Sequence, residues 1–241
     1  MKKALFSALA MCAIALCLSA CSSDEIDEYE QNMISYSTEM ESVDLGLPSH
    51  TMWGTMNVGA NCPEAYGDYF AWGDSISRGE DWKTDLKKYN WINAPFNNGQ
   101  KNCDQDYFKT VFDKVCPSGT LSEEHDAATQ LCGSDWRMPT ADEWFELYTE
   151  CEWEWTDDYN GKGIKGYIVH SVDKTTHIFL PGAGKRSYAS YSEEGQGFYW
   201  SSTPKGISTY ALCLYFNRNN INADKYPYYR YYGFTIRPVR K

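Results

Sequence analysis

The chain has 241 residues, 33 acidic side chains against 22 lysines and arginines, and a formal charge of -11. A surface of that sign repels phosphate backbones and anionic headgroups, so nucleic acid is excluded as a partner. The length fits one large domain or two small ones.

Residues 1–20 open on Lys2 and Lys3, run through an apolar stretch from Ala4, and end on Leu18-Ser19-Ala20 directly before Cys21. A basic start, a short apolar run and small residues ahead of a cysteine are the layout of a bacterial lipoprotein signal peptide. The run is also short for a membrane span. The expectation is cleavage before Cys21, lipidation of Cys21, and attachment to the outer membrane through its acyl chains. Removing 20 of 241 residues leaves 221, and loses two lysines but no acids, so the formal charge becomes -13. Residues 21–42, beginning Cys21-Ser22-Ser23-Asp24-Glu25, are polar and acidic and read as a flexible tether. An acidic patch after the lipidated cysteine resembles the surface-export signal of Bacteroides-type lipoproteins, which implies a chain facing the cell exterior. A plain periplasmic spacer is the alternative.

The folded domain is expected over 43–241. Pro48, Gly54, Gly59, Pro63, Gly67 and Gly73 punctuate short aromatic and β-branched pieces, which predicts short strands and tight turns. From Asp74 to Gly119 no period is sustained, which predicts long surface loops with at most one short helix. Pro139 to Tyr148 is the best helix: Thr140 can cap it, Glu143 completes a capping box, and Trp144, Leu147 and Tyr148 share a face. Strands are expected at Tyr167–Val169, His177–Leu180 and Tyr210–Phe216, with a last one through Phe234, Ile236 and Val239. Strands outnumber helices and no βαβ rhythm occurs, so the class is α+β, loop-rich, with short antiparallel strands and few helices.

Several blocks then stand together: Val43-Asp44-Leu45-Gly46-Leu47-Pro48, Trp53 with Asn57-Val58-Gly59-Ala60, and Tyr66-Gly67-Asp68-Tyr69-Phe70-Ala71-Trp72-Gly73. They are followed by Asp126-Ala127-Ala128, Trp136-Arg137-Met138-Pro139-Thr140 with Glu143-Trp144, Phe179-Leu180-Pro181-Gly182, Tyr199-Trp200-Ser201-Ser202, and Arg237-Pro238-Val239-Arg240. In this order they resemble the Fibrobacter succinogenes major paralogous domain, found in surface lipoproteins of gut Bacteroidetes. The resemblance implies a single C-type-lectin-like domain, related to the formylglycine-generating enzyme fold, with its two ends paired as neighbouring strands. Its blocks read as structural: Trp136 and Trp144 as apolar anchors, Arg137 and Arg237 as makers of buried hydrogen bonds. This chain departs from the pattern at His50, where glycine is usual, and at Met56, where many relatives have cysteine.

Catalytic signals are weak. Cys62, Cys103, Cys116, Cys132, Cys151 and Cys213 permit disulfides in an exported chain, in any of fifteen pairings. No CxxC, CxxH or HExxH spacing supports a metal site, and no G-x-S-x-G elbow supports a serine hydrolase. Only Cys213 lies on the late loops where a formylglycine-generating enzyme would need a pair. Asp157-Asp158 and Glu193-Glu194 read as solvated loop charges. The lectin motifs for calcium-held sugar are missing, and Asp104 with Asp106 is too weak a signal to assign calcium. The expectation is a protein that is not an enzyme, with no cofactor and no metal.

The sharpest feature is Tyr210 to Tyr232, where seven of 23 positions are tyrosine and four are asparagine. The candidate ligand-binding residues are Tyr210, Tyr215, Asn217, Asn219, Asn220, Asn222, Asp224, Tyr226, Tyr228, Tyr229, Tyr231 and Tyr232. Tyrosine offers large rigid surface at low entropic cost and asparagine offers adaptable donors and acceptors, as in antibody paratopes. Strand neighbours point to opposite faces, so Tyr228-Tyr229 and Tyr231-Tyr232 predict that at least half the rings are exposed. A sheet whose rings only stabilise one another is the alternative. The stretch, closing on Gly233-Phe234 and Arg237, also resembles the variable region of retroelement-diversified proteins. Ordinary drift among tandem paralogues would leave a similar pattern. The leading expectation is a surface lipoprotein that binds a glycan or a protein, with loops around Tyr188–Tyr191 contributing. A structural component of the cell envelope or of a surface fibre is the second.

Overall fold

The computed structural model describes residues 40–75, 89–187, 190–192 and 195–240. Cys21, the signal peptide, most of the tether, Trp82, Tyr188 and Glu193-Glu194 therefore lie outside the described residues. From Glu39 to Lys241 the chain forms one unit. Contacts with the domain begin ahead of Val43: the Glu41 carbonyl accepts a bond from Thr55 N at 2.9 Å.

The first sheet ties the ends of the domain together. Strands β1 (Ser42–Asp44) and β2 (Met52–Gly54) form a hairpin, and β11 (Val239–Arg240) adds antiparallel to β2, placing Val239 opposite Trp53. At the hairpin turn His50 holds a φ of 58°, a left-handed backbone that favours glycine. His50→Gly is expected to raise stability by about 0.5–1 kcal/mol, measured as a urea midpoint shifted up at unchanged slope.

Three α-helices lie among the described residues. α1 (Gln105–Val115) is capped by Asp104, whose carboxylate accepts from Tyr107 N. α2 (Ala127–Cys132) is capped by Asp126. α3 (Ala141–Glu150) carries the expected capping box between Thr140 and Glu143. Trp144 and Leu147 on α3 are buried, whereas Tyr148 stays 40% exposed with its ring edge against Trp153. The segment expected to be mostly loop thus holds an 11-residue helix.

Two further three-stranded antiparallel sheets complete the frame. One orders β3 (Glu152–Tyr159), β4 (Ile164–His170) and β5 (His177–Pro181). The other orders β8 (Gly197–Pro204), β9 (Tyr210–Asn217) and β10 (Asn220–Tyr229). A small hairpin joins β6 (Lys185–Ser187) to β7 (Ser190–Ser192). The architecture is a loop-rich α+β fold. Between α3 and the sheets lies a core of Trp53, Trp144, Leu147, Val169, Leu180, Tyr199, Leu214 and Phe216. Trp53 and Trp144 meet at 4.6 Å between ring centres. Burying each such side chain contributes about 1.5–3 kcal/mol.

The expected last strand is broken. Only Val239–Arg240 is strand, while Gly233, Phe234 and Thr235 make single bridges to Arg186, Phe70 and Tyr199. The segment is pinned by side chains instead. Phe234 stacks on Trp200 at 4.2 Å, and a side chain at Gly233 would strike the Tyr89 ring within 2.6 Å. Arg237 is fully buried and donates to Asn57 Oδ1 (2.9 Å), the Gly54 carbonyl (2.9 Å) and the Phe179 carbonyl (2.7 Å).

No disulfide is present among the described residues. All six cysteines among the described residues are free. Cys103 precedes α1 and Cys116 is its C-cap, so the helix holds their backbones roughly 20 Å apart, beyond any disulfide. Burial pushes the Cys116 and Cys132 thiols up to about 12, which leaves both unreactive.

Candidate functional site

The tyrosine-rich stretch folds as the β9–β10 hairpin and the turn after it. Its two-residue loop, Arg218-Asn219, is set by Asn217, whose side-chain oxygen accepts from Asn219 N at 2.9 Å. Asn217 Nδ2 also donates to Tyr215 OH at 2.9 Å, and Tyr215 donates to Gln196 Oε1 at 2.9 Å. The ladder shifts register between Asn222 and Tyr226, which puts exposed Asp224 and Lys225 on a bulge. There Lys225 reaches Asp142 of α3 at 3.4 Å.

The hairpin separates the candidate residues into two groups. Asn217, Asn219 and Asn220 sit at its loop end, and Tyr210 and Tyr229 pair at the other, roughly 23 Å away along the strand. Asn222 and Asp224 stay with the loop end and the bulge. Tyr215, Tyr226 and Tyr228 line the face between, with Tyr215 and Tyr226 stacked at 5.4 Å.

At the far end the rings gather. Tyr210 stacks on Tyr229 at 4.7 Å, Tyr229 on Tyr231 at 5.7 Å, and Tyr231 on Tyr232 at 4.6 Å. Trp91 closes the group, its ring 4.9 Å from Tyr231 and 6.1 Å from Tyr229. Ile92, 45% exposed, follows Trp91, and Ile207, 44% exposed, precedes Ser208, whose carbonyl accepts from Arg230. With Tyr229 at 38%, this end carries three of the large apolar side chains that remain exposed. Apolar surface concentrated in one place is the usual mark of an interaction site.

The expected exposure of half the rings is corrected. Only Tyr229 is exposed; Tyr210, Tyr215, Tyr226, Tyr228, Tyr231 and Tyr232 are half-buried, and none is fully buried. The period-of-two argument applies to Tyr228-Tyr229, which lie in β10. It fails for Tyr231-Tyr232, which lie in a turn and stack on each other. Tyr228 is the most enclosed by contacts: it meets Phe198 at 5.6 Å, Phe234 at 5.1 Å, Tyr232 at 4.8 Å, and Lys185 Nζ through its hydroxyl at 2.6 Å.

Two buried residues hold this surface from behind. Asn97 is 1% exposed; its amide donates to the carbonyls of Trp91 (2.6 Å), Gln100 (2.8 Å) and Asn102 (3.0 Å) and its oxygen accepts from Asp104 N (2.7 Å). Arg230 is fully buried, with its guanidinium 3.8 Å from the Phe108 ring centre and its donors on the carbonyls of Ser208 (3.1 Å) and Pro95 (3.4 Å). Trp91, Asn97 and Arg230 escaped the sequence reading. Trp91 lies in an aperiodic segment, and only long-range contacts bring it to the hairpin.

A separate cleft of about 540 Å³ is walled by Asp126, Trp136, Arg137 and Glu143. Its charged groups are already engaged. Arg137 and Glu143 form a bidentate pair at 2.8 and 2.6 Å, as expected of a structural arginine. Burial opposes ionisation of Glu143, but Arg137 and the Thr140 N–H outweigh it and hold the carboxyl below its ordinary value. Asp126 is 3% exposed and accepts from Met138 N and Thr129 N; burial is the largest influence on it and raises its pKa to about 6. Because the folded value lies above the unfolded one of 3.8, this group stabilises the fold most below pH 4, and that contribution is lost as pH rises through 6. The difference amounts to about 3 kcal/mol. Asp126→Asn is therefore expected to flatten the pH dependence of the urea midpoint between pH 4 and 7.5 relative to wild type. Among the described residues no group of three His, Cys, Asp or Glu is placed to hold a metal.

A model of a domain of unknown function (DUF8237) matches residues 165–239. The match opens inside β4 and closes in β11, so it spans the whole tyrosine-rich hairpin but leaves β3, the partner of β4, outside. No curated protein and no solved structure matches the chain.

Proposed function

We propose that this chain is a lipoprotein, anchored in the outer membrane through Cys21 and facing the cell exterior, whose lectin-like domain binds a glycan or a protein. It acts as a binding module rather than an enzyme. The observation that carries the reading is the aromatic end of the β9–β10 hairpin, where Trp91, Tyr210, Tyr229, Tyr231 and Tyr232 meet beside exposed Ile92 and Ile207. The stacked rings turn part of their faces toward one another, so hydroxyls and ring edges supply much of the contact chemistry. The asparagine-rich loop end is a separate polar surface.

The test is a glycan array and a surface-protein array probed with the soluble domain and with a Tyr229→Ser/Tyr231→Ser variant. Binding by the wild type that the variant loses supports the reading. Binding retained by the variant moves the site elsewhere. In cells, Cys21→Ala should abolish incorporation of labelled fatty acid and release the chain from the membrane fraction. Sequencing codons 210–232 across isolates separates retroelement diversification from ordinary drift. The second reading, a structural envelope or fibre component, draws on the mutual packing of the rings. It predicts co-purification with a polymeric partner and silence on both arrays.

A further inference from the structure

The loop that holds Trp91 from behind carries a chemical weak point at its tip. The chain has two Asn-Gly steps, Asn98-Gly99 and Asn160-Gly161. In such a step no side chain shields the glycine nitrogen from the asparagine carboxamide, and glycine's broad backbone range lets the chain turn so that the two meet. Asn98 and Gly99 are both exposed, at left-handed φ of 51° and 66°. A side chain at Gly99 would meet no heavy atom within 4 Å, so the tip has open space. Among the described residues neither of the two makes a hydrogen bond. The base of the loop, in contrast, is fixed: Phe96 packs on Trp72 and Phe108 at 6.3 and 6.1 Å, and Asn97 is buried. Asn160-Gly161 is more restrained. Asn160 directly follows Tyr159, which pairs with Ile164 across the hairpin, and its side chain engages the Tyr159 hydroxyl.

We propose that Asn98 is a site of spontaneous deamidation, and that the product frees Trp91 from the tyrosine cluster. The Gly99 nitrogen, having lost its proton to hydroxide, attacks Asn98 Cγ. A C–N bond forms there, the bond to the side-chain nitrogen breaks, and ammonia leaves a succinimide. Water then opens the ring at either carbonyl. Opening at Cγ leaves an aspartyl residue; opening at the main-chain carbonyl leaves an isoaspartyl residue, whose backbone runs through Cβ and Cγ and is one carbon longer. The sum is amide plus water giving carboxylate plus ammonium, with no oxidant or cofactor. The place of the added carbon gives it consequence. Asn97 reaches across residues 98–99 to the carbonyls of Gln100 (2.8 Å) and Asn102 (3.0 Å) and to Asp104 N (2.7 Å), while the same amide holds the Trp91 carbonyl at 2.6 Å. Two amide hydrogens thus serve three carbonyls. A main chain lengthened between Asn97 and Gln100 cannot keep all these distances, and the Trp91 ring, 4.9 Å from Tyr231, loses its support. An effect on ligand binding rests on the reading of that cluster as the contact surface; the modification and the loosening do not.

The experiment ages the purified protein at 37 °C in mildly alkaline and mildly acidic buffer. Isoaspartyl residues are then located by peptide mass mapping and enzymatic methylation, and hydrogen exchange is followed over residues 89–104. The expected result is isoaspartyl in the Asn98 peptide, formed faster at alkaline pH and at least about threefold faster than in the Asn160 peptide, a factor of the size one engaged side-chain bond supplies. Exchange around Trp91 rises in step in the wild type and stays level in Asn98→Gln, whose longer side chain closes a ring far more slowly. A melting curve before ageing verifies that this variant is folded. Isoaspartyl confined to the Asn160 peptide overturns the site, and a modified Asn98 with unchanged exchange overturns the effect on Trp91. Silence of the fresh wild type on the two arrays would sink the binding reading alone, since neither readout here involves a ligand.

Discussion

Replacing Arg237 with methionine is expected to destabilise the domain by about 3–5 kcal/mol, enough to leave it largely unfolded at 37 °C. Its three short bonds, at 2.9, 2.9 and 2.7 Å, serve Asn57, Gly54 and Phe179 at once. Those acceptors lie on the β2 end, the loop after it, and β5, so one side chain ties the first sheet to the β3–β4–β5 sheet. Methionine keeps the apolar stem but is shorter and donates nothing, and each buried acceptor left unpaired costs about 1–3 kcal/mol. Burial lowers the Arg237 pKa to about 10, so the guanidinium is still charged at neutral pH and its bonds are charge-assisted. Arg230→Met is the instructive contrast. Its bonds to the Ser208 and Pro95 carbonyls are longer, at 3.1 and 3.4 Å, and its third is to the weak acceptor Cys103 Sγ at 3.8 Å, so removing the desolvated charge offsets much of the loss. Chemical denaturation of both variants should show a collapse for Arg237→Met and a loss of about 1 kcal/mol for Arg230→Met. Equal losses would show that bond length does not separate the two arginines.

What could be read from the sequence was whatever is decided within one turn or one strand. α3 was legible because Thr140 and Glu143 cap it locally and Trp144 and Leu147 recur on one face. β4, β5 and β9 were legible as short apolar runs. β10 was hidden: Pro227 lies inside it, and its ladder slips between Asn222 and Tyr226. The Gly233 to Arg237 segment looked like a strand, yet side-chain contacts with Tyr89, Trp200 and Asn57 hold it where no continuous ladder exists. Such contacts join residues 34 to 180 positions apart and leave no local trace.

The candidate site was legible by composition and not by shape. Its tyrosines and asparagines are adjacent in the chain, which suggested one surface. A hairpin separates them, because residues at its loop and at its open end are a strand length apart. Trp91 joins the tyrosines only through the loop that Asn97 and Arg230 hold, at separations of 6 and 135 residues. Neither contact has a sequence period that would reveal it.

Among the tyrosines, Tyr228 and Tyr229 are expected to part in their effects. Tyr228→Ser removes a ring in contact with Phe198, Phe234 and Tyr232 and strips Lys185 of its bond to the hydroxyl. Truncating a half-buried aromatic of this kind should cost about 2–3 kcal/mol and lower the melting temperature by roughly 4–8 °C per kcal/mol at the small end of domain size, about half that here. Tyr229 is 38% exposed and leans mainly on other rim rings. Tyr229→Ser should cost under about 1 kcal/mol, while binding to any ligand found on the arrays falls at least tenfold, as for a hot-spot aromatic. Melting curves and equilibrium binding on the two single variants and their double separate the roles. A Tyr229→Ser variant that melts as low as Tyr228→Ser would mean the whole ring cluster is a stabilising sheet surface. A variant that keeps both its melting temperature and its binding would place the ligand at the asparagine end of the hairpin, roughly 23 Å away.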